Sequence, residues 1–286
     1  MTMAAPIASK KHQTWLNAAT RFMLIGGGLL AILAIIAVAA PFIAPHDPEA
    51  VDVPRVLGAP DFAHPFGSDV LGRDVLSRVI FGLRVSLLVS LSAVAASLAL
   101  AVPLGLLAGY FGHWTDTIIS RSLDMIMIFP AILLAITFIA ILGPGSIIAA
   151  IAIAMIYLPI LARVMRTSTL IVSRNDFVAG ARARGASHFR VLVGHVTPNA
   201  LGPVIVQASV LSAFALQLEA GLSFLGLGTQ PPTPSLGGML ADGRDVLTQA
   251  PWVEIFPGLA IVVAVLAFTF LGEGLRLAFD PRGVAE

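Results

Sequence analysis

Residues 176–199, DFVAGARARGASHFRVLVGHVTPN, form a polar and basic interruption between two long apolar stretches of the chain. Apolar side chains recur at helical spacing on both sides of Gly185, so the sequence predicts two short helices with a break at that glycine. Pro198 is expected to end the second helix. Three arginines are expected on or near the opposite side from the apolar stripe: Arg182, Arg184 and Arg190. A helix–glycine–helix elbow at a membrane surface suits the groove of a partner protein.

The composition of the whole chain predicts a membrane protein that crosses the bilayer several times. Hydrophobic residues make up 57% of the 286 residues, charged residues only 12%, and the mean hydropathy is +0.93. Soluble proteins contain about 25% charged residues. The chain has no cysteine, which excludes disulfides, thiolate nucleophiles and cysteine metal sites. The net charge of +1 is less informative than the distribution of the charges.

Uncharged stretches long enough to cross a bilayer divide the chain into five parts. The longest, residues 125–162, is expected to form two helices separated at the Gly143-Pro144-Gly145 turn. A cleavable signal peptide competes with the first span, but its apolar stretch is too long for one. The predicted parts are a cytoplasmic arm (1–20), a first transmembrane helix (21–44), an external loop (45–84), a five-helix core (85–275) that contains the 176–199 loop, and a cytoplasmic tail (276–286).

Basic residues predict which side of the membrane each loop occupies. With six spans, both termini lie on the same side of the membrane. The sequence has 12 lysines and arginines in or beside the loops on that side and five on the other side. Positive residues accumulate in the cytoplasm, so we expect the termini and the 176–199 loop to be cytoplasmic. In the external loop, Asp69 and Asp74 are expected to pair with nearby arginines as parts of a solvated lid. Those arginines are Arg73, Arg78 and Arg84.

No constellation for catalysis, nucleotide binding or metal binding is recognisable in the sequence. Both lysines are near the N-terminus, so a G-x-x-x-x-G-K-[ST] phosphate loop is excluded. The histidines are scattered, at positions 12, 46, 64, 113, 188 and 195. Few acidic residues fall inside the apolar stretches, and those that approach them are expected near helix ends, which disfavours a proton-coupled carrier. They are Asp124, Glu219, Glu254 and Glu273.

Three stretches resemble known transporters. The spacing from Ala179-Gly180-Ala181 to Gly185 and Pro198 resembles the cytoplasmic "EAA" coupling loop of membrane subunits of bacterial ABC importers, with Ala179 in place of the motif's glutamate. Residues 64–88 and 219–282 resemble the dipeptide, oligopeptide and nickel branch of these permeases. The alternative for residues 176–199 alone is a basic loop that merely obeys the positive-inside rule.

The resemblance implies an all-α membrane protein with six transmembrane helices and the type I ABC importer permease (MetI-like) fold, located in the bacterial inner membrane. It implies a second homologous permease subunit, two cytoplasmic ABC ATPase subunits that bind ATP and Mg, an external substrate-binding protein and membrane lipid as partners, and no nucleic acid. This chain would be no enzyme and would bind no cofactor itself. The residues expected to contact an ATPase are Ala179, Gly180, Ala181, Arg182, Gly185, Ala186, Ser187 and Pro198.

Peptides are the expected cargo, because the sequence shows no metal-ligand cluster. Related systems also carry glutathione or nickel complexes, and these remain alternatives. An ion-gradient-driven carrier is a further alternative from another class of protein.

Overall fold

The computed structural model describes residues 6–279, with side chains from residue 19 onward. The side chains of Lys10 and Lys11, and Arg282 in the predicted tail, therefore lie outside the described residues. The described chain is helical, without a β-strand. Its α-helices are α1 (Pro6–Ile43), α2 (Val75–Phe111), α3 (His113–Met127), α4 (Ala131–Leu142), α5 (Ser146–Val172), α6 (Asp176–Ala183), α7 (His188–Val191), α8 (Thr197–Phe224), α9 (Leu236–Gly243) and α10 (Trp252–Phe279).

Helix α1 contains the first apolar span, residues Ala19–Ile43. It begins at Pro6, so residues 6–20 of the predicted arm continue the helix of the span without a break. Glycines let α1 approach α10 closely. A Cβ atom on Gly26 would lie 2.3 Å from the backbone nitrogen of Leu271, and one on Gly274 would lie 2.6 Å from Met23. The start of the apolar span of α1 therefore packs beside the end of α10.

Helix α2 begins ten residues earlier than the sequence predicts, at Val75 instead of residue 85. Asp74 caps it, since its side chain accepts a hydrogen bond from the backbone N–H of Ser77. An N-cap aspartate satisfies one of the donors that the first turn of a helix leaves free. The sequence contains this capping aspartate, but the charged residues in the first turns of α2 made the stretch look like a loop. The last ten residues of the predicted external loop are therefore part of a helix.

Between α2 and α5, where the sequence predicts a third span, the chain forms a bent pair of helices. The polar residues 112–121 are mostly helical and begin α3, and α3 meets α4 at an angle of 87°. Pro130 precedes α4 and explains the bend, because proline lacks an N–H and disfavours the helical conformation of the residue before it. The pair leads from the end of α2 to the start of α5, and if it is counted as one span, the described chain has six candidate crossings together with its five long apolar helices.

Helices α2 and α5 form the centre of the bundle and pack backbone against backbone. A Cβ atom on Gly105 would lie 2.6 Å from the carbonyl oxygen of Ala162, and one on Gly109 would lie 2.6 Å from that of Arg166. Small residues that allow such approach are typical of helix contacts inside membranes. Around this contact a core of buried side chains extends to α8 and to α6. It includes Leu161, Met165, Val178, Val191 and Val204.

Candidate functional site

The 176–199 segment forms the predicted elbow. Helix α6 ends in two hydrogen bonds, from the N–H of Gly185 to the carbonyl of Arg182 (2.9 Å) and from the N–H of Ala186 to that of Ala181 (3.2 Å). This is the Schellman arrangement, in which the residue after the helix is left-handed. Gly185 has φ +81°, a conformation that glycine adopts at little cost. Ser187 then caps α7 by accepting a hydrogen bond from the N–H of Arg190 (3.4 Å).

The helical run after Gly185 does not end at Pro198, contrary to the sequence-based expectation. A π-helical turn, Leu192–Val196, joins α7 to α8, and Pro198 lies in the first turn of α8. Proline is tolerated there because the first N–H groups of a helix have no intrahelical acceptor. Side chains supply additional donors at the junction: the Thr197 hydroxyl donates to the Leu192 carbonyl (2.9 Å) and the Asn199 amide to the His195 carbonyl (2.7 Å). The elbow is therefore continuous with a transmembrane helix.

The eight residues predicted to contact a partner all lie on the elbow, but they do not share one surface. Ala181 is 2% exposed and packs into the core of its own chain, so it is not available to a partner. Gly180 and Ala186 are half-buried. The others are exposed: Ala179, Arg182, Gly185, Ser187 and Pro198. The expected arginine face is also present, since Arg184 and Arg190 are exposed.

Three apolar side chains of the elbow are exposed, although helical spacing suggested that they are part of the buried stripe. They are Phe177 (44%), Phe189 (76%) and Val193 (53%). Neighbouring valines occupy the buried face instead: Val178, Val191 and Val196 have no exposed surface. Exposed aromatic residues beside arginines are the composition that protein interfaces favour. The structure adds these three residues to the candidate contact surface.

Tyr110, near the end of α2, supports the elbow from beneath. Its hydroxyl lies 3.0 Å from Nδ1 of His188, and the guanidinium carbon of Arg182 lies 4.8 Å from the centre of its ring. A cation over an aromatic face is attracted by the negative charge of that face. Both halves of the elbow are therefore joined to one side chain of a central helix, a connection that the sequence gave no signal for.

A buried ionic cluster lies at the opposite end of α2. Asp69 is 2% exposed and lies 2.7 Å from Arg73 and 3.3 Å from Arg78, which confirms two of the expected pairs. Asp74 contacts His64 instead of an arginine, and no ion pair joins Arg84 to either aspartate within the described chain. Arg73 and Arg78 are 6% and 4% exposed, so the expectation of a solvated lid is wrong for these residues. The cluster is packed beneath the segment between α1 and α2, where Arg78 donates a hydrogen bond to the Pro48 carbonyl (3.1 Å).

Asp242 of α9 completes this cluster at its edge, 3.3 Å from Arg73 and 3.9 Å from Arg78. Desolvation raises the pKa of the Asp242 carboxyl above its ordinary value, although both arginines act to lower it. The side chain is 43% exposed, so it is the least enclosed member of the group. The contact ties the segment between α8 and α10 to the start of α2.

Glu219 departs from the expectation that acidic residues lie at helix ends. It lies within α8 and has no exposed surface. The hydroxyl of Ser223 donates to Oε1 (2.8 Å), while Oε2 has no hydrogen-bond partner among the described residues. Ser86 of α2 faces the same carboxyl group. An ionisable group enclosed within a membrane bundle is costly to bury, so Glu219 marks a polar contact between α8 and α2.

The histidines are not all scattered in space. His46, His64 and Asp74 each offer one possible ligand atom, and these atoms lie within 4.8 Å of one another. This corrects the sequence-based statement that no metal-ligand cluster exists, because residues distant in the chain meet where α1 ends and α2 begins. His188 and His195 belong to the elbow, where His188 contacts Tyr110.

Comparison with known proteins gives two matching families. Residues 101–283 match the family described as the binding-protein-dependent transport system inner membrane component. Residues 20–60 match the N-terminal transmembrane domain of oligopeptide transport permease C. The first match contains the whole elbow, and the second contains α1 from Thr20 onward and the beginning of the segment that follows it.

Several curated proteins are similar over most of their length. The chain is 40% identical to the dipeptide transport system permease protein DppC of Alkalihalophilus pseudofirmus, covering 92% of this chain and 86% of that protein. It is 43% identical to the di/tripeptide permease DppC of Pseudomonas aeruginosa (90% and 87%). It is 40% identical to the glutathione permease GsiD of Pectobacterium atrosepticum (95% and 91%).

Two solved structures share the fold. The methionine ABC transporter MetNI in an inward-facing form matches with a TM-score of 0.57 at 17% identity, covering 68% of this chain and 93% of the other. An amino acid ABC transporter matches with a TM-score of 0.54 at 16% identity, covering 68% and 91%. At this identity the likeness concerns the fold alone.

Proposed function

The chain belongs to the family of inner membrane components of binding-protein-dependent transport systems, and on that premise we propose that it is the permease subunit of an ATP-driven peptide importer. It provides one half of a path across the bilayer, and a second homologous permease subunit provides the other. Dipeptides or short oligopeptides are the cargo. An external substrate-binding protein delivers them, and two cytoplasmic ATPase subunits supply the energy.

The observation that carries this proposal is the construction of the elbow. Its exposed surface combines Arg182, Arg184 and Arg190 with the side chains of Phe177 and Phe189. Its underside is fixed to the core by the buried Val178, Ala181 and Val191. A surface of this kind can receive a partner's movement, and a rigid attachment passes the movement to the helices behind it.

Force applied to the elbow reaches the transmembrane bundle by two routes. The π-helical turn leads directly into α8, and Tyr110 connects α6 and α7 to the end of α2. Helix α2 in turn packs backbone to backbone on α5 at Gly105 and Gly109. Closure of the ATPases therefore tilts α2, α5 and α8 together, which opens one side of the path and closes the other.

The chain itself hydrolyses no nucleotide under this proposal. Its sequence has no phosphate-binding loop, since its lysines are confined to positions 10 and 11. ATP and Mg are held by the partner ATPases, and no cofactor binds to the permease. The experiment that separates this from an ion-gradient-driven carrier is reconstitution: the chain alone with a proton or sodium gradient is expected to be inactive, and the full assembly is expected to require ATP.

We place the elbow on the cytoplasmic side of the membrane and the buried ionic cluster on the external side. The positive-inside rule supports this orientation, because basic residues concentrate at the elbow's end of the bundle. The start of the apolar span of α1, the end of α10 and the start of α8 all lie at that end, as the contacts of Gly26 with Leu271 and of Gly202 with Phe279 indicate. Both termini are then cytoplasmic. Lipid surrounds the exposed apolar side chains of the spans.

A cysteine cross-linking experiment tests the assignment of the elbow, and the chain suits it because it has no native cysteine. Ser187→Cys and Ala179→Cys place thiols on the exposed elbow, and Phe62→Cys places one on the external segment, where Phe62 is fully exposed. We expect the elbow cysteines to cross-link to an ATPase subunit, and the Phe62 variant not to. Cross-links from residue 62 to the ATPase, or none from the elbow in an active transporter, would overturn the assignment.

Cargo is tested separately by uptake. Uptake of labelled dipeptide, tripeptide and glutathione is compared in competition, using the transporter assembled together with its binding protein. Glutathione transport is the second candidate, favoured by the similarity to a glutathione permease. A preference for glutathione over common peptides would change the proposed cargo but not the proposed mechanism.

A further inference from the structure

Two histidines and an aspartate meet at the external end of the bundle. His46 follows the end of α1, His64 lies in the segment before α2, and Asp74 caps α2. The imidazole rings of His46 and His64 are stacked, with centres 4.4 Å apart and planes 20° apart. Nδ1 of His64 lies 2.9 Å from Oδ1 of Asp74, and Nδ1 of His46 lies 3.8 Å from Oδ2. Three potential ligands therefore converge from three parts of the chain.

Their spacing is close to that of a metal site. Zinc bonds to histidine nitrogen at about 2.0–2.1 Å, so two ligand atoms of a tetrahedral site are about 3.3 Å apart. One possible ligand atom from each of the three residues lies within 4.8 Å of the other two, so small side-chain rotations are enough to bring them to this spacing. Imidazole nitrogen with a carboxylate selects zinc and similar transition metals over calcium and magnesium, which prefer oxygen ligands.

Hydrogen bonds from neighbouring groups hold these residues in place. Oδ2 of Asp74 accepts from the backbone N–H (2.7 Å) and the hydroxyl (2.6 Å) of Ser77, which leaves Oδ1 directed at His64. The backbone N–H of His46 donates to the same Ser77 hydroxyl (3.1 Å), and the backbone N–H of His64 donates to Asp61 (2.6 Å). Such supporting contacts are what orient the ligands of natural metal sites.

A cavity of about 560 Å³ lies beside the site. Of the three residues, His46 lines this cavity, together with the acidic residues Asp47 and Glu49. A cleft lined by negative charge raises the local concentration of cations. Arg78 of α2 reaches the lining of this cavity, since it donates to the carbonyl of Pro48 (3.1 Å), and its charge is offset by Asp69 at 3.3 Å.

We propose that His46, His64 and Asp74 bind one divalent transition-metal ion of the zinc class, with water at the fourth position. The ion replaces the His64–Asp74 hydrogen bond and joins the end of α1 to the start of α2 across the external segment between them. It is a structural ion that fixes this segment, and it is separate from the transported cargo. The inference does not depend on what the cargo is, because the three residues are assembled within this chain alone.

The test measures zinc bound to the transporter purified with its partner subunits. The protein is treated with a chelator, exchanged into metal-free buffer and titrated with Zn²⁺, and bound metal is counted by elemental analysis. His46→Ala removes a ligand that is 40% exposed, so the variant is expected to fold. His64→Ala removes the second ligand. The control is His113→Asn, because His113 is exposed, lies outside the cluster and has φ +46°, which asparagine tolerates.

Wild type and His113→Asn are expected to hold one more zinc ion per permease chain than His46→Ala and His64→Ala. Added zinc should raise the unfolding temperature of wild type and of His113→Asn, but not that of either alanine variant. Replacement of zinc by Co²⁺ is expected to give tetrahedral absorption bands that both alanine variants lose. If His64→Ala does not assemble, the His46→Ala comparison decides. Equal zinc content in wild type and His46→Ala, or an unfolding temperature that zinc does not change in wild type, would overturn the proposal.

Discussion

The hydroxyl of Tyr110 lies 3.0 Å from Nδ1 of His188, although 78 residues separate them in the chain. This contact joins the end of a central transmembrane helix to the second half of the elbow. The same tyrosine ring lies beneath Arg182 of the first half. Movement of either half therefore reaches α2 through one side chain, which makes Tyr110 the residue whose loss should separate ATP hydrolysis from transport.

Tyr110→Ala is expected to lower transport per ATP hydrolysed by about tenfold. It removes a hydrogen bond of about 1 kcal/mol and a cation–π contact of about 0.5–1 kcal/mol. Tyr110→Phe keeps the ring and should lose only the first contribution. Uptake and ATPase activity are measured together in proteoliposomes, with Trp114→Ala as control because that side chain is 81% exposed. Full coupling in Tyr110→Ala would show that force takes the α8 route alone.

Gly185→Val is expected to weaken association with the ATPase and to destabilise the elbow by about 1–3 kcal/mol, because a β-branched residue is strained at positive φ. A Cβ atom there has nothing within 4 Å, so the cost comes from the backbone and not from a clash. Gly185→Asn should cost less. Gly221→Ala, within α8 and outside the predicted contact residues, is the control and should be neutral or stabilising, because a Cβ atom there meets nothing within 4 Å. Co-purification of the ATPase and thermal unfolding measure both effects, and equal behaviour of the Gly185→Val and Gly221→Ala variants would contradict the prediction.

Asp69→Asn is expected to destabilise the protein by about 3–5 kcal/mol, since it leaves two enclosed arginines without their shared carboxylate. Asp242→Asn should change stability much less. Burial raises the pKa of Asp242, so ionisation of this carboxyl lowers stability as the pH rises through its folded pKa, and an uncharged side chain avoids that loss. Thermal unfolding of the two variants at neutral pH compares them. A larger loss for Asp242→Asn would refute the assignment of Asp69 as the central counter-ion.

Gly109→Ala is expected to separate α2 from α5 and to cost about 1–3 kcal/mol, because the added methyl group would lie 2.6 Å from the carbonyl oxygen of Arg166. Gly221→Ala, in α8, is the control: a Cβ atom there meets nothing within 4 Å. The control should gain about 0.5–1 kcal/mol from its higher helix propensity. The two variants are distinguished by the midpoints of their unfolding in detergent solution. Unchanged stability of the Gly109→Ala variant would mean that α2 and α5 can move apart freely.

Hydropathy predicted six spans by comparing each apolar stretch with a fixed bilayer thickness, and the described chain has five long apolar helices, or six spans if the bent pair of α3 and α4 counts as one. It predicted boundaries less well. Helix α2 starts ten residues early at the Asp74 cap, and the third crossing bends before Pro130. Both signals are local and were present in the sequence, but polar residues in the first helical turns look the same as a loop when only hydropathy is considered.

The sequence by itself determined that the chain crosses a membrane, that its elbow breaks at Gly185 and that it has no phosphate-binding loop, because each of these depends on composition or on residues close together in the chain. Tertiary structure alone decided that Ala181 is buried while Phe189 is exposed, that Asp242 joins Arg73, and that His46 meets His64. Helical periodicity places a residue on a face, but it does not specify which helix covers that face. Packing between distant segments makes that choice.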